Sequence, residues 1–168
     1  TLAGSMLSGN TARIEGVADT GSSFSGSAYG GGIYANISNF GSSLSVPLTV
    51  TDSHLDNNAA RVVATGTAAS FNGNAYGGGV YSSSSALVSL DHVTMADNTV
   101  SHPSSADGYQ FYLQGTSASV ARSVFAHGNP PVTGNSFVGG VTSGGYNVSQ
   151  YSLPGATGTD LVCEGRDM

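Results

Sequence analysis

Small polar and apolar residues alternate in short runs along the chain. Leu44, Val46, Leu48 and Val50 alternate with Ser45, Pro47, Thr49 and Thr51; Val88 and Leu90 alternate with Ser89 and Asp91; Ala118 and Val120 alternate with Ser119 and Ala121. A period of two with one small or apolar face is the mark of a half-buried strand. No long stretch holds the helical period, and glycine breaks the sequence throughout. The pattern predicts an all-β chain.

The strands belong to a unit that the chain repeats. Ala28-Tyr29-Gly30-Gly31-Gly32-Ile33-Tyr34 matches Ala75-Tyr76-Gly77-Gly78-Gly79-Val80-Tyr81 at an offset of 47. A weaker third copy, Ala106 to Tyr112, keeps the first Gly, the apolar residue and the final Tyr. A second motif places a large apolar residue three positions before Asn: Leu7 with Asn10, Leu55 with Asn58, Met95 with Asn98. Phe125 continues it, with Asn129 one place late. The four apolar positions lie 48, 40 and 30 residues apart, so a common unit carries insertions of variable length. Thr11-Ala12-Arg13-Ile14 matches Ala59-Ala60-Arg61-Val62 and opens such an insertion, an outward loop or an extra strand.

The span Gly77 to Asn98 holds three short β pieces and cannot bury its own apolar face. Stacked copies bury a continuous core and pair each strand with its equivalents above and below. The expected fold is therefore a solenoid, a parallel β-helix of about four to five coils with loop insertions. Leu7, Leu55, Met95 and Phe125 should form one internal column, and Tyr34, Tyr81 and Tyr112 a second. Asn10, Asn58 and Asn98 should sit at a corner, in the left-handed conformation that Asn tolerates, with amides bonded between coils. The glycines should serve tight corners and close backbone approach. The 48-residue spacing fits two plain coils or one coil with a loop. One coil with a loop is preferred, because the Gly77–Asn98 unit is complete without an insertion. The repeats occupy residues 1–148, leaving 149–168 as an irregular tail or the start of a further coil. The chain opens mid-pattern at Thr1 and has no clear closing element, which suggests a piece of a longer protein.

These Gly-Gly-Gly-Ile-Tyr and Gly-Gly-Gly-Val-Tyr elements, alternating with Leu-x-x-Asn and Met-x-x-Asn, resemble the paired repeats of polymorphic outer-membrane proteins. They are equally similar to the pectate-lyase-type right-handed β-helix repeats of large bacterial surface proteins. The segment Val141 to Val148 is similar to a terminal piece of those proteins. The resemblance covers most of residues 3–148 and implies a right-handed parallel β-helix, extracellular or at the cell surface. Such repeats serve adhesins, enzymes and stalks alike. The third glycine stands where the family usually has Ala.

Composition narrows the partners. Lysine is absent, four arginines supply all the fixed positive charge, and the net charge is −6. Phosphate recognition needs clustered cations, so nucleic acid is excluded as an expected partner. One cysteine, Cys163, rules out an internal disulfide. No apolar run is long enough for a membrane span.

Candidate chemistry centres on one column. Aligning Leu55, Met95 and Phe125 puts Asp52, His92 and Arg122 at one equivalent site, about 4.8 Å apart on successive coils. Asp91 adjoins it. As a polyuronate site, Asp52 would bind calcium or act as an acid, with His92 or Arg122 as base. The plainer interpretation, and the preferred one, is a surface charge ladder. No Asp-Asp or tight Asp-x-Asp pair appears, and His54, His102 and His127 lack metal-ligand spacing. No resident metal or cofactor is expected, calcium being the single candidate. Gly30-Gly31-Gly32 lacks the Lys and helix of a phosphate loop. Asn36-Ile37-Ser38 and Asn147-Val148-Ser149 match the glycosylation pattern. The expected function is a stalk or adhesin that meets a glycan or cell-surface ligand through loops 13–27 and 61–74. It would continue in a longer chain or associate end to end. The alternative is part of a polysaccharide lyase, epimerase or hydrolase using Asp52, Asp91, His92 and Arg122.

Overall fold

The computed structural model describes residues 1–36, 46–67, 70–83, 86–103, 106–126, 135–150 and 152–163. Leu44, His127, Asn129, the Ile37-Ser38 part of the first glycosylation pattern and residues 164–168 lie outside them. Among the described residues there are strands and no helix. Eleven strands form one large sheet that curls without closing, beside two sheets of three strands and one of two. Every pairing among the described residues is parallel, and most join equivalent positions of successive repeats, an arrangement compatible with a β solenoid.

The curl comes from single left-handed residues. The strands Val46–Asp56 and Ala86–Ala96 each contain one, Asp52 at φ 49° and His92 at φ 51°. Arg122, at φ 49°, separates Phe111–Ala121 from Val124–Ala126. Such a residue turns the strand and shifts its alternation by one. Ala86, Val88 and Leu90 are buried before His92; Val93 and Met95 are buried after it. Both limbs thus present their apolar side chains to the same interior.

Leu7, Leu55, Met95 and Phe125 stand in direct register, so the 48-residue repeat is one layer with an insertion. Leu55, Met95 and Phe125 are buried, and they pack with Val50, Leu90, Phe111 and Phe137 into the main core. Phe111, Phe125 and Phe137 meet with ring centroids 4.8 to 6.2 Å apart. A smaller core lies under the insertions, formed by Ala28, Ala60, Val62, Ala75, Val100 and Tyr109 with Phe24 against it.

Two expectations are refined. Of the two forms expected for the insertions, an outward loop or an extra strand, the described residues of 13–27 and 61–74 take mostly the second. Thr11–Ala18 pairs with Ala59–Gly66 along its full length, and Ser23–Ser25 pairs with Ser70–Asn72. In the third layer, among the described residues, Thr99–Ser101 is what remains of this arm. The asparagines are also not the left-handed residues. Gly9, Asn57 and Asp97, one position earlier, hold φ of 68°, 53° and 50°. The turn at that position aims Asn58 and Asn98 into the interior, and Asn10 onto Asn58 at the exposed end of the column.

Their amides form the expected chain between layers. Asn58 Oδ1 accepts from Asn10 N and Nδ2 at 3.1 and 3.0 Å. Asn98 Oδ1 does the same for Asn58 N and Nδ2. Asn58 and Asn98 are fully buried. The glycine triplets pack against this ladder. A Cβ on Gly78 would meet Thr99 O at 2.4 Å, and one on Gly79 would meet Gln110 O at 2.6 Å. The third copy explains its own departure from the motif. Gln110 occupies the register position of Gly79. Its side chain accepts from Asn98 Nδ2 and donates to Ala126 O, extending the ladder by one step.

Candidate functional site

The predicted charged column exists as aligned. Thr51 pairs with Asp91 and Ser53 with Val93, which sets Asp52 beside His92; Asp91 pairs with Ala121, which sets His92 beside Arg122. The three side chains are solvent-exposed at one outer corner of the stack. Asp91 completes the group. Its carboxylate accepts from Arg122 Nε at 2.9 Å and also from Nη2. His92 Nδ1 lies 3.5 Å from Asp91 and 3.9 Å from Asp52. The Arg122 hydrogen bond holds the Asp91 carboxyl below its ordinary range, and the same contact raises the Arg122 guanidinium. The arginine therefore pairs with Asp91 rather than with Asp52.

Asp91 shares its strand face with Ser89, two residues earlier. Ser89, Pro47, Leu87, Ser117, Ser119 and Thr142 line a shallow groove on the outer sheet face. The groove is mainly apolar, with hydroxyls from Ser89, Ser117, Ser119 and Thr142 among Pro47, Leu87, Val88 and Ala118, and Asp91 continues the Ser89 face two residues further on. No group of three or more His, Cys, Asp or Glu side chains among the described residues is arranged to hold a metal ion. His54 is exposed, and His102 is partly buried, which lowers its pKa.

A second locus was only half visible in the repeat pattern. Tyr34, Tyr81 and Tyr112 stand in register across three layers, as the spacing predicted. Tyr29 and Tyr76, themselves in register, join them. Tyr34 and Tyr81 stack at 5.4 Å, Tyr81 and Tyr112 at 5.9 Å, and Tyr76 and Tyr112 at 4.1 Å. Tyr29 lies 4.7 Å from Tyr81. Tyr81 at the centre is 5% exposed, and Tyr34 at the rim is 51% exposed. Burial, followed by the surrounding tyrosines, pushes the Tyr81 phenol up to about 12. The doubled Ala-Tyr step before each triplet, at Tyr29 and Tyr76, was the available signal.

Asp160 was not singled out from the sequence. Its carboxylate accepts from Ser143 Oγ, from Asn147 N and Nδ2, and from Thr157 N and Oγ1. Burial alone would raise its pKa; the hydrogen bonds from Ser143, Thr157 and Asn147 together outweigh burial and hold it well below the carboxylate range. Asn147 is buried, and its Oδ1 accepts from Ser123 N. It stands in the column of Ser53 and Ser123 rather than in the asparagine ladder, with its amide buried away from any glycosylating enzyme. No protein-family model, curated protein or solved structure matches this chain.

Proposed function

We propose that the chain is a right-handed parallel β-helix of about four to five coils, part of a secreted or cell-surface protein, and that it works as a stalk or adhesin. The observation that carries this is the paired arm standing on a continuous in-register stack. Thr11–Ala18 and Ala59–Gly66 run side by side beyond the short third-layer strand, and their outer ends, at Val17 and Thr65, are exposed. A repeat stack resists shear through its layer-to-layer pairing, and insertions raised from it are where solenoids place recognition. The low content of charged residues, 8%, suits contact with uncharged surfaces. The same surface leaves end-to-end association or continuation in a longer chain open to the outermost layers.

The test is a screen of the purified chain against immobilised polysaccharides, with and without calcium, reading retention and product release together. Retention without product is expected. A second function has one observation behind it, the exposed group of Asp52, Asp91, His92 and Arg122 at one corner of the stack. On that view the chain cleaves a polyuronate, and His92→Ala abolishes product release while leaving the fold intact. Product from any polyuronate would overturn the adhesin.

A further inference from the structure

The outer side of the sheet that leads to the charged corner is built from rows in register. The first two rows are Pro47-Thr49-Thr51 and Leu87-Ser89-Asp91. The next two are Ser117-Ser119-Ala121 and Gly140-Thr142, the latter running on to Gly145. Between these positions Val50, Val88, Leu90, Ala118 and Val120 point inward and are buried.

The two halves of this face differ in height. Leu87 is 53% exposed and stands beside Pro47, so the first two rows make an apolar ridge. The last two rows carry small side chains. They leave a groove of about 260 Å³, with Ser117, Ala118 and Ser119 between Leu87 on one side and Thr142 on the other.

Charge divides the face along the same line. Asp52 and Asp91 belong to the first two rows, and Arg122 to the third. Ala121 pairs with Gly145 and Val124 with Val148, which sets Tyr146, 71% exposed, beside Arg122. Arg122 and Tyr146 hold φ of 49° and 60°, a backbone that Gly, Asn and Asp adopt more easily, as Gly9, Asn57 and Asp97 do at the ladder corner. Both side chains are exposed, so packing within the chain does not offset that strain. Strain held at exposed, chemically rich side chains points to a contact outside the chain.

A face that is high and acidic in one half, low and basic in the other, is its own complement. A half-turn about an axis along the strands, between the second and third rows, lays each half over the opposite half of a second copy. Leu87 then enters the groove at Ser117 of that copy, and Pro47 meets its Gly140. Asp91 meets Ala121 of the second copy within reach of its Arg122, and Asp52 meets the Tyr146 hydroxyl, a donor.

We propose that this face pairs with the same face of a second copy of the chain, side by side, with the two stacks running in opposite directions. The contact uses neither end of the stack. Four rows of six residues cover about 20 Å by 20 Å, or on the order of 800 Å² counted on both copies. Stable complexes bury about 1,200–2,000 Å², so the dimer is weak, with a Kd on the order of 100 μM. The pairing stands apart from the adhesin proposal, but its consequence rests on it: opposed stacks are what two facing surfaces present, so the adhesin would bind its own kind across a gap.

Sedimentation equilibrium of the intact chain, from about 10 μM to about 1 mM, is the test. A monomer–dimer equilibrium is expected, weakened by salt. Leu87→Glu, at an exposed residue, should weaken it about tenfold or more. Met6→Glu, at an exposed apolar residue on the strand beyond the corner, should leave it unchanged. Asp91→Arg and Arg122→Asp should each weaken self-association, and an equal mixture of the two should form heterodimers more tightly than either forms homodimers. An Asp91–Arg122 contact confined to one molecule predicts no such recovery. A parent chain that stays monomeric throughout overturns the pairing, and so does a Leu87→Glu protein that associates as the parent does. If a monomeric parent chain is still retained on a polysaccharide, the adhesin stands and only the pairing falls.

Discussion

Two single-residue columns run along this molecule, and the same stacking produces both. Asn10, Asn58 and Asn98 form one, and Asp52, His92 and Arg122 form the other. Each places one side chain per layer at a corner of the stack, yet they do different work. Asn58 and Asn98 lie inside, Asn10 caps them at the exposed end, and the amides bond from layer to layer. The charged residues lie outside, where water competes for every contact. Repetition therefore fixes where a side chain stands, and burial fixes what its contacts are worth.

The largest effect should come from breaking the buried column at its centre. Asn58→Ala removes the acceptor of Asn10 N and Nδ2 and the donor to Leu7 O and Asn98 Oδ1. Each buried group left unpaired costs about 1–3 kcal/mol, so a loss of about 3–5 kcal/mol is expected from urea unfolding. Asn10→Ala, at the exposed end of the same ladder, should cost about 1 kcal/mol.

Asp160 sharpens the comparison, because it is a charged residue bound in the manner of the ladder. Asp160→Asn should cost about 1–2 kcal/mol at neutral pH, discounted for its partial exposure. The folded pKa is depressed, so its contribution is complete above the unfolded value of about 4 and is lost as pH falls through the folded one. Urea midpoints of the parent and Asp160→Asn proteins should thus converge as the pH is lowered below about 4.

The smallest effect should come from the outer column. Asp91→Asn removes the partner of Arg122, but exposed ion pairs contribute little and are screened by salt. Its unfolding midpoint should match the parent at moderate ionic strength. A large loss of stability there would place the charged corner among the elements that hold the stack.

Much of this was legible in the sequence for a simple reason. Leu7, Leu55, Met95 and Phe125 mark one position of a repeat, and aligning them aligns everything nearby, including Asp52, His92 and Arg122. The arms were harder to read. Arg61 to Gly66 carries weak alternation, and its strand character comes from pairing with a copy 48 residues away. The left-handed corner was assigned to Asn58 and Asn98 rather than to Asn57 and Asp97, since both positions hold residues that tolerate it. Gln110 looked like a decayed glycine, because its role depends on Asn98 and Ala126, which are distant in sequence or carry no matching motif. Asp160 lies outside the repeat, and nothing in its local sequence announces the five groups that converge on it.

The central claim is that successive repeats stand in parallel register as adjacent layers. Cross-linking tests it directly. In a Cys163→Ser background, His54→Cys and Thr94→Cys are combined, since these residues pair across adjacent strands. In-register neighbours about 4.8 Å apart fall within disulfide reach, whereas a partner two residues along the strand does not. Mild oxidation should close the 54–94 bond within one molecule and leave the combination of Asp56→Cys with Thr94→Cys reduced. Failure of the first pair to close, or equal closure of the second, would contradict the layered register on which the ladder, the charged corner and the tyrosine cluster all depend.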